Sequence, residues 1–155
     1  MSEPFIPSTL DDLKAVTGLA FMQAVLSGKL PSPPMAETLG YRLTEVAPGR
    51  VVFTGTPDPA HCNPMGGVHG GWYGTLLDSA MGCAVMTTVP KGRLYTTLEY
   101  KINITRALPP GTRIAAEGVV DHGGRTTAVA HGEIRGLADG KLYATGTTTC
   151  LILNG

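Results

Sequence analysis

Charge is scarce in this chain. Only 15% of its 155 residues are Asp, Glu, Lys or Arg, and 12 basic residues balance 12 acidic ones for a formal net charge of zero. A nucleic-acid binder normally carries a basic excess or stripe, so this balance argues against one. No apolar run approaches the roughly 20 residues needed to cross a bilayer, which argues against a membrane protein. The opening Met1-Ser2-Glu3-Pro4 lacks a basic region followed by an apolar core, so no signal peptide is expected. Cysteine is limited to Cys62, Cys83 and Cys150, an odd number with no C-x-x-C pair. That usage points to a reduced, cytoplasmic protein with free thiols rather than a disulfide scaffold. Glycine is the exception to this sparseness, at 21 residues. The length suits one domain with a real core and is too short for two comfortable ones.

The apolar period predicts the elements. A helix is expected over residues 9–27, capped by Ser8 or Thr9, with Asp11 and Asp12 in its first turn and Gly28 ending it. Its apolar positions are Leu13, Val16, Leu19, Ala20, Met22 and Leu26. Pro31-Ser32-Pro33-Pro34 is a stiff turn, and a short helix follows over 35–39. Residues 1–35 are read as an N-terminal helical extension and 36–155 as the main domain.

Strands are expected over 41–46 and 50–56, then a turn-rich loop, then a long helix from 70 to about 88. The buried stripe of that helix is Leu76, Leu77, Ala80, Met81, Ala84 and Val85. Residues 94–105 alternate almost perfectly. Leu94, Thr96, Leu98, Tyr100, Ile102 and Ile104 share one face, and Tyr95, Thr97, Glu99, Lys101 and Asn103 share the other. Further strands are expected over 113–122, 126–135 and 142–153. Consecutive strands with short Gly-containing turns make the sheet largely antiparallel, and one apolar-striped helix covers it. The fold class is α+β, in two layers.

The segment 63–83, N-P-M-G-G-V-H-G-G-W-Y-G-T-L-L-D-S-A-M-G-C, is the chemically informative part. Asp78 lies two turns into the long helix among small residues: Gly71, Gly74, Thr75, Ser79 and Gly82. A glycine costs a helix interior about 1 kcal/mol relative to alanine, so something is expected to lie close against this face, with room left for substrate and a partner's loop. A carboxylate can act as base or nucleophile on an acyl group. Amides at a helix N-terminus, here Gly70, can hold a developing oxyanion. Eight residues separate the two, about 12 Å along a helix, whereas both must approach one carbonyl to about 3 Å. If they form one site, a second subunit supplies one of them, and the protein is a homodimer with two shared sites. Asn63 can orient water or a carbonyl, His69 can position the Gly70 peptide or touch the carbonyl, and Thr96 or Thr97 can hold the carboxylate or the attacking water.

The segment resembles the hotdog-fold acyl-CoA thioesterases of the phenylacetate-degradation (PaaI-like) and 4-hydroxybenzoyl-CoA types. Their N-x-x-G-x-x-H-G-G pattern, followed by an acidic residue eight positions after the first glycine of H-G-G, falls here on Asn63, Gly66, His69, Gly70, Gly71 and Asp78. Thr96-Thr97-Leu98-Glu99, the 103–106 strand end, Gly124-Arg125-Thr126 and Thr147-Thr148-Thr149-Cys150-Leu151 are similar as well. The resemblance implies an antiparallel sheet wrapped around a long central helix. It implies hydrolysis of an acyl-CoA thioester without metal or organic cofactor, Asp78 acting as nucleophile or general base and the Gly70 N–H polarising the carbonyl. His69 supports that loop, Asn63 orients water or the carbonyl, and Thr97 is the hydroxyl partner of the carboxylate. Strand parity puts Thr96 rather than Thr97 on the helix side, a conflict that a bulge would resolve. The family also implies a homodimer with a continuous sheet, often paired again into a tetramer. Gly71 and Thr96 are candidate substrate contacts, and Arg93, Arg106 and Arg125 are candidates for the phosphates of coenzyme A.

Two other functions fit the same scaffold: a non-catalytic acyl-CoA binding or sensing module, and a dehydratase acting on hydroxyacyl thioesters with His69 and Asp78 as acid and base. A metal site from His61, Cys62 and His69 has little support, because no H-E-x-x-H or paired C-x-x-C occurs. A Ser/His/Asp triad has no G-x-S-x-G to rest on.

Overall fold

The computed structural model describes residues 9–154, so Ser8 and the rest of the lead-in lie outside the described residues. Thr9 caps α1 (Leu10–Lys14): its hydroxyl accepts from the Asp12 amide, and the Asp12 carboxylate reaches back to the Thr9 N–H. The single helix expected over 9–27 is in fact two. α2 (Gly18–Leu26) starts afresh at Thr17, whose Oγ1 accepts from the Ala20 N–H at 3.2 Å. The break has a packing cause. The Gly18 N–H donates to Val89 O at 2.9 Å, and a Cβ on Gly18 would collide with the Met86 carbonyl. Docking the start of α2 against the end of the long helix wins over one continuous helix. α3 (Pro34–Thr38) begins one residue earlier than expected, with Pro34 at its first turn where a missing N–H costs nothing.

Six strands make one antiparallel sheet: β1 (Tyr41–Ala47), β2 (Arg50–Gly55), β3 (Leu94–Ile104), β4 (Ile114–Gly123), β5 (Thr127–Gly136) and β6 (Leu142–Leu153). Their spatial order is β1-β2-β4-β5-β6-β3. The long helix α4 (Gly70–Met86) lies across one face, and Leu76, Leu77, Ala80, Met81, Ala84 and Val85 are all fully buried beneath it. This is the expected stripe and the expected α+β architecture, a sheet wrapped around a central helix. Each large apolar side chain buried there contributes about 1.5–3 kcal/mol.

Three glycines seat the helix. Gly118, Gly132 and Gly146 pair side by side across β4, β5 and β6. A Cβ on Gly118 would run into the Ala80 carbonyl, one on Gly132 would sit 3.0 Å from Met81 Cγ, and one on Gly146 would sit 3.2 Å from Met81 Cε. The row forms a shallow trough that lets the α4 backbone approach the sheet.

The edge strand β3 corrects the alternation read from the sequence. Its pairing with β6 shifts between Thr97 and Glu99, so Leu98 is the extra residue of a bulge and is 56% exposed. Before the bulge Tyr95 and Thr97 face α4; after it Tyr100 does, and the Ile104 side chain reaches Gly70. The face that strict alternation assigned to Leu94, Leu98 and Tyr100 together therefore changes sides midway. Among the described residues no helix is long and apolar enough to cross a membrane.

Candidate active site

Asp78 projects from the middle of α4 toward β3. Thr97 Oγ1 donates to Asp78 Oδ1 at 3.0 Å, the contact the bulge makes available. Burial pushes the Asp78 carboxyl above its ordinary value, and the Thr97 hydrogen bond pulls the other way. Its surroundings stay neutral. The Cys83 thiol is pushed up to about 12, by burial first and by the Asp78 charge second. Burial also holds the Tyr95 phenol well above its ordinary range. Tyr41 Oη and Ser79 Oγ share a hydrogen bond of 2.8 Å on the next face of the helix. Asp78 is thus a carboxylate among hydroxyls and thiols, with no cation paired to it among the described residues.

The glycines beside Asp78 are covered by the chain's own aromatic side chains. A Cβ on Gly82 would lie 2.8 Å from the Tyr95 hydroxyl, and one on Gly74 would lie 3.2 Å from the Tyr100 ring. On this face Gly71, in the first turn, is exposed, whereas Gly74 and Gly82 are buried under or close against the tyrosines. Alternation puts Tyr100 on this side of β3, whereas Tyr95 and the Tyr41–Ser79 pair carry no such signal in the sequence. Tyr95 could have been found by placing the bulge at Leu98.

The loop before α4 is built around Asn63. Its Oδ1 accepts from the Met65 N–H at 2.9 Å and the Gly67 N–H at 3.3 Å, while its own N–H donates to Gly67 O. The side-chain oxygen is therefore committed to the turn, and the Nδ2 amide is the group left for a ligand. His69 is the N-cap of α4. Its Nδ1 accepts the Gly71 N–H at 2.9 Å, which puts the ring proton on Nε2 as an outward donor. A side chain on Gly71 would press on the His69 ring, 3.1 Å from Nδ1. Trp72 N donates to His69 O. Among the described residues the Gly70 amide has no acceptor, and it points out of the helix start with the dipole behind it. His61 acts locally: its Nδ1 accepts the Asp58 N–H, and its Nε2 meets Thr38 O.

The remaining candidates divide. Arg106 and Asn63 line one cavity of about 460 Å³ with Val68, Tyr73 and Leu108. Arg93 instead donates to Asn154 Oδ1 at 2.8 Å, and Arg125 is exposed in the turn between β4 and β5. Thr96 is exposed and borders an apolar cavity with Tyr95 and Cys83. The structure brings Asp78 to Thr97 and gathers Asn63, His69, Gly70 and Gly71 around the start of α4. It leaves these two groups apart: Gly70 and Asp78 lie on the same α4, about 12 Å apart along its axis.

Comparison with known proteins agrees with this frame. Residues 65–143 match the family model of the thioesterase superfamily. Acyl-coenzyme A thioesterase 13 of Homo sapiens is 29% identical over 107 residues, 69% of this chain and 76% of that protein. The crystal structure of a thioesterase family protein from Silicibacter pomeroyi superposes with a TM-score of 0.77 at 30% identity, covering 86% of this chain and 99% of the other. A mutant of the phenylacetic acid degradation protein PaaI from Thermus thermophilus gives a TM-score of 0.70 at 32% identity, covering 77% of this chain and 98% of the other. With a family match over half its length and this sheet-and-helix topology, the chain belongs to the thioesterase superfamily and is a thioester-hydrolysing enzyme.

Proposed function

We propose that the chain hydrolyses an acyl-CoA thioester at a site shared between two protomers, with Asp78 as general base. The observation that carries this reading is the placement of Asp78. It is partly buried, held by one hydrogen bond from Thr97, unpaired with any cation among the described residues, and shifted toward neutrality by burial. A base works best with a pKa near the operating pH. Asp78 takes a proton from water as the water oxygen attacks the thioester carbonyl carbon. The tetrahedral oxyanion accepts the Gly70 N–H of the partner subunit. Collapse breaks the C–S bond, the proton on Asp78 passes to the departing sulfur, and coenzyme A and the free acid leave with the carboxylate restored. Two helix-start amides are already taken by His69, so the Gly70 N–H is the donor available for an oxyanion.

Helix geometry supports the shared site, because one α4 separates base and amide by about 12 Å. β3 is an edge strand with many exposed side chains, which suits pairing with a second copy into a continuous sheet. A further pairing into a tetramer fits the same scheme. Asn63 Nδ2 and His69 Nε2 are the donors flanking the carbonyl, Gly71 is an exposed backbone contact there, and Arg106 beside Asn63 is the best placed arginine for a coenzyme A phosphate. The division into an N-terminal extension, 1–35, and a catalytic domain, 36–155, belongs to the same reading.

A panel of acyl-CoAs assayed with a thiol reagent tests the function. Wild type should release free thiol and Asp78→Asn should lose most turnover while staying folded. Binding without thiol release would favour a sensing module. Single turnover in ¹⁸O-water should label only the released acid; label in Asp78 would mean that its carboxylate attacks the carbonyl itself.

A further inference from the structure

The N-terminal segment and α4 border apolar space at Cys83 and Tyr95, two residues that feel the Asp78 charge. Two cavities, about 210 Å³ and about 400 Å³, share Leu13, Phe21, Met22 and Cys83 as walls. The first runs inward to Leu43 and Phe53 on β1 and β2, and the second opens at Tyr95 and Thr96 on β3. Among the described residues no charged side chain lines either one. The Cys83 thiol, pushed up to about 12, stays neutral and acts as a small apolar wall.

The mouth of this space adjoins the candidate active site. Tyr95 at the opening faces α4 on the same side of β3 as Thr97, which holds Asp78. Cys83 lies five residues beyond Asp78 on α4, about 7.5 Å along the axis and about 140° around it, a path of roughly 10 Å that a chain of about eight carbons spans. We infer that this cavity receives the acyl chain of the substrate, and that the extension over residues 10–33 makes the enzyme select an unsubstituted apolar acyl group of medium length. The inference rests on the thioesterase reading of the Asp78 site. The occupant is an acyl chain rather than a second protein because the inner cavity, about 210 Å³ and walled by Phe21, Val25, Leu43 and Phe53, has room for a few methylenes and not for a side-chain-bearing segment. The absence of any charged wall residue disfavours acids with a second carboxylate, whose buried charge would stay unpaired.

The test joins binding and turnover. Octyl-CoA and ethyl-CoA thioethers, which cannot be hydrolysed, are titrated calorimetrically into wild type, Cys83→Phe and Phe21→Ala. A buried methylene is worth about fourfold in affinity, so wild type should favour the octyl compound by roughly fiftyfold if half of the added methylenes are buried. Cys83→Phe fills the passage and should cut that preference by at least about tenfold. In the same proteins kcat/KM for octanoyl-CoA should fall by a similar factor in Cys83→Phe while acetyl-CoA changes by less than about twofold. Phe21→Ala widens the channel, should move the optimum to longer chains, and carries the test alone if Cys83→Phe does not fold. An octyl preference unaltered in both variants would overturn the inference, as would equal losses at every chain length with a changed oligomeric state, which would make this surface a contact between copies. Chain-length-dependent binding in a wild type that releases no thiol would leave the acyl site standing and remove the thioesterase reading.

Discussion

Thr97 Oγ1 donates to Asp78 Oδ1 at 3.0 Å across the gap between an edge strand and the central helix. The bond opposes the upward push that burial gives the carboxyl. Thr97→Val keeps the shape and removes the donor, so the Asp78 pKa should rise further. A general base acts as the carboxylate, so the rate climbs with pH through that pKa. The acid limb of the kcat/KM profile should therefore move to higher pH in Thr97→Val, with a loss of about tenfold on that limb and a smaller one on the plateau. A uniform loss across pH would assign Thr97 a packing role alone.

The same burial has a consequence for stability. Asp78 is less easily ionised in the folded chain than at its ordinary value of 3.8. Its protonated form favours folding below that ordinary value, and this contribution is lost as pH rises through the raised folded pKa. At neutral pH the wild type thus carries a partly desolvated charge that Asp78→Asn removes while keeping an oxygen for Thr97. The variant should be more stable than wild type by about 1 kcal/mol at neutral pH, the usual gain when an active-site compromise is relieved. The difference should shrink as pH falls through the folded pKa. Urea midpoints measured across pH check it.

Much of this site was legible because its residues are close in sequence. The loop–helix run from Asn63 to Asp78 announces a carboxylate and a helix-start amide, and the rise of a helix alone implies two protomers if both serve one site. Thr97 required more. Strict alternation put it on the wrong face, and only a bulge at Leu98, which no local residue signals, turns it toward Asp78. Gly18 is similar: an apolar period ran through it, while the collision its side chain would make with Met86 decided the break. Of the two tyrosines that fill the glycine notches of α4, alternation already puts Tyr100 on the helix side, and only Tyr95 depends on that same bulge. What escaped the sequence is long-range contact.

The glycine trough is the plainest case, since Gly118, Gly132 and Gly146 are read as weak strand residues until the register aligns them. Their obstacles differ. Gly118 meets the α4 backbone at Ala80, whereas Gly146 meets the flexible ends of Met81 and Leu77. Gly118→Ala should therefore cost about 3 kcal/mol or more, and Gly146→Ala about 1 kcal/mol. Urea unfolding of both variants checks the order; equal costs would mean that α4 slides freely on the sheet.

Gly70 offers the sharpest test of a shared site. It is the first residue of α4, where proline is tolerated because the N–H has no partner inside the helix. His69 has φ −63° and ψ 139°, a conformation that suits a residue before proline. Gly70→Pro should fold with α4 intact and lose about 10²–10³ in kcat through the missing oxyanion donor. Mixing it with Asp78→Asn then separates one-chain from two-chain sites. In a mixed dimer one site combines the intact Asp78 of one protomer with the intact Gly70 amide of the other, and the second site is doubly impaired. Random exchange after co-refolding makes half the dimers mixed, so about a quarter of wild-type activity should return. If both groups served one site within a chain, every mixed dimer would hold two singly impaired sites, and the mixture would show only the mean of the two weak parents.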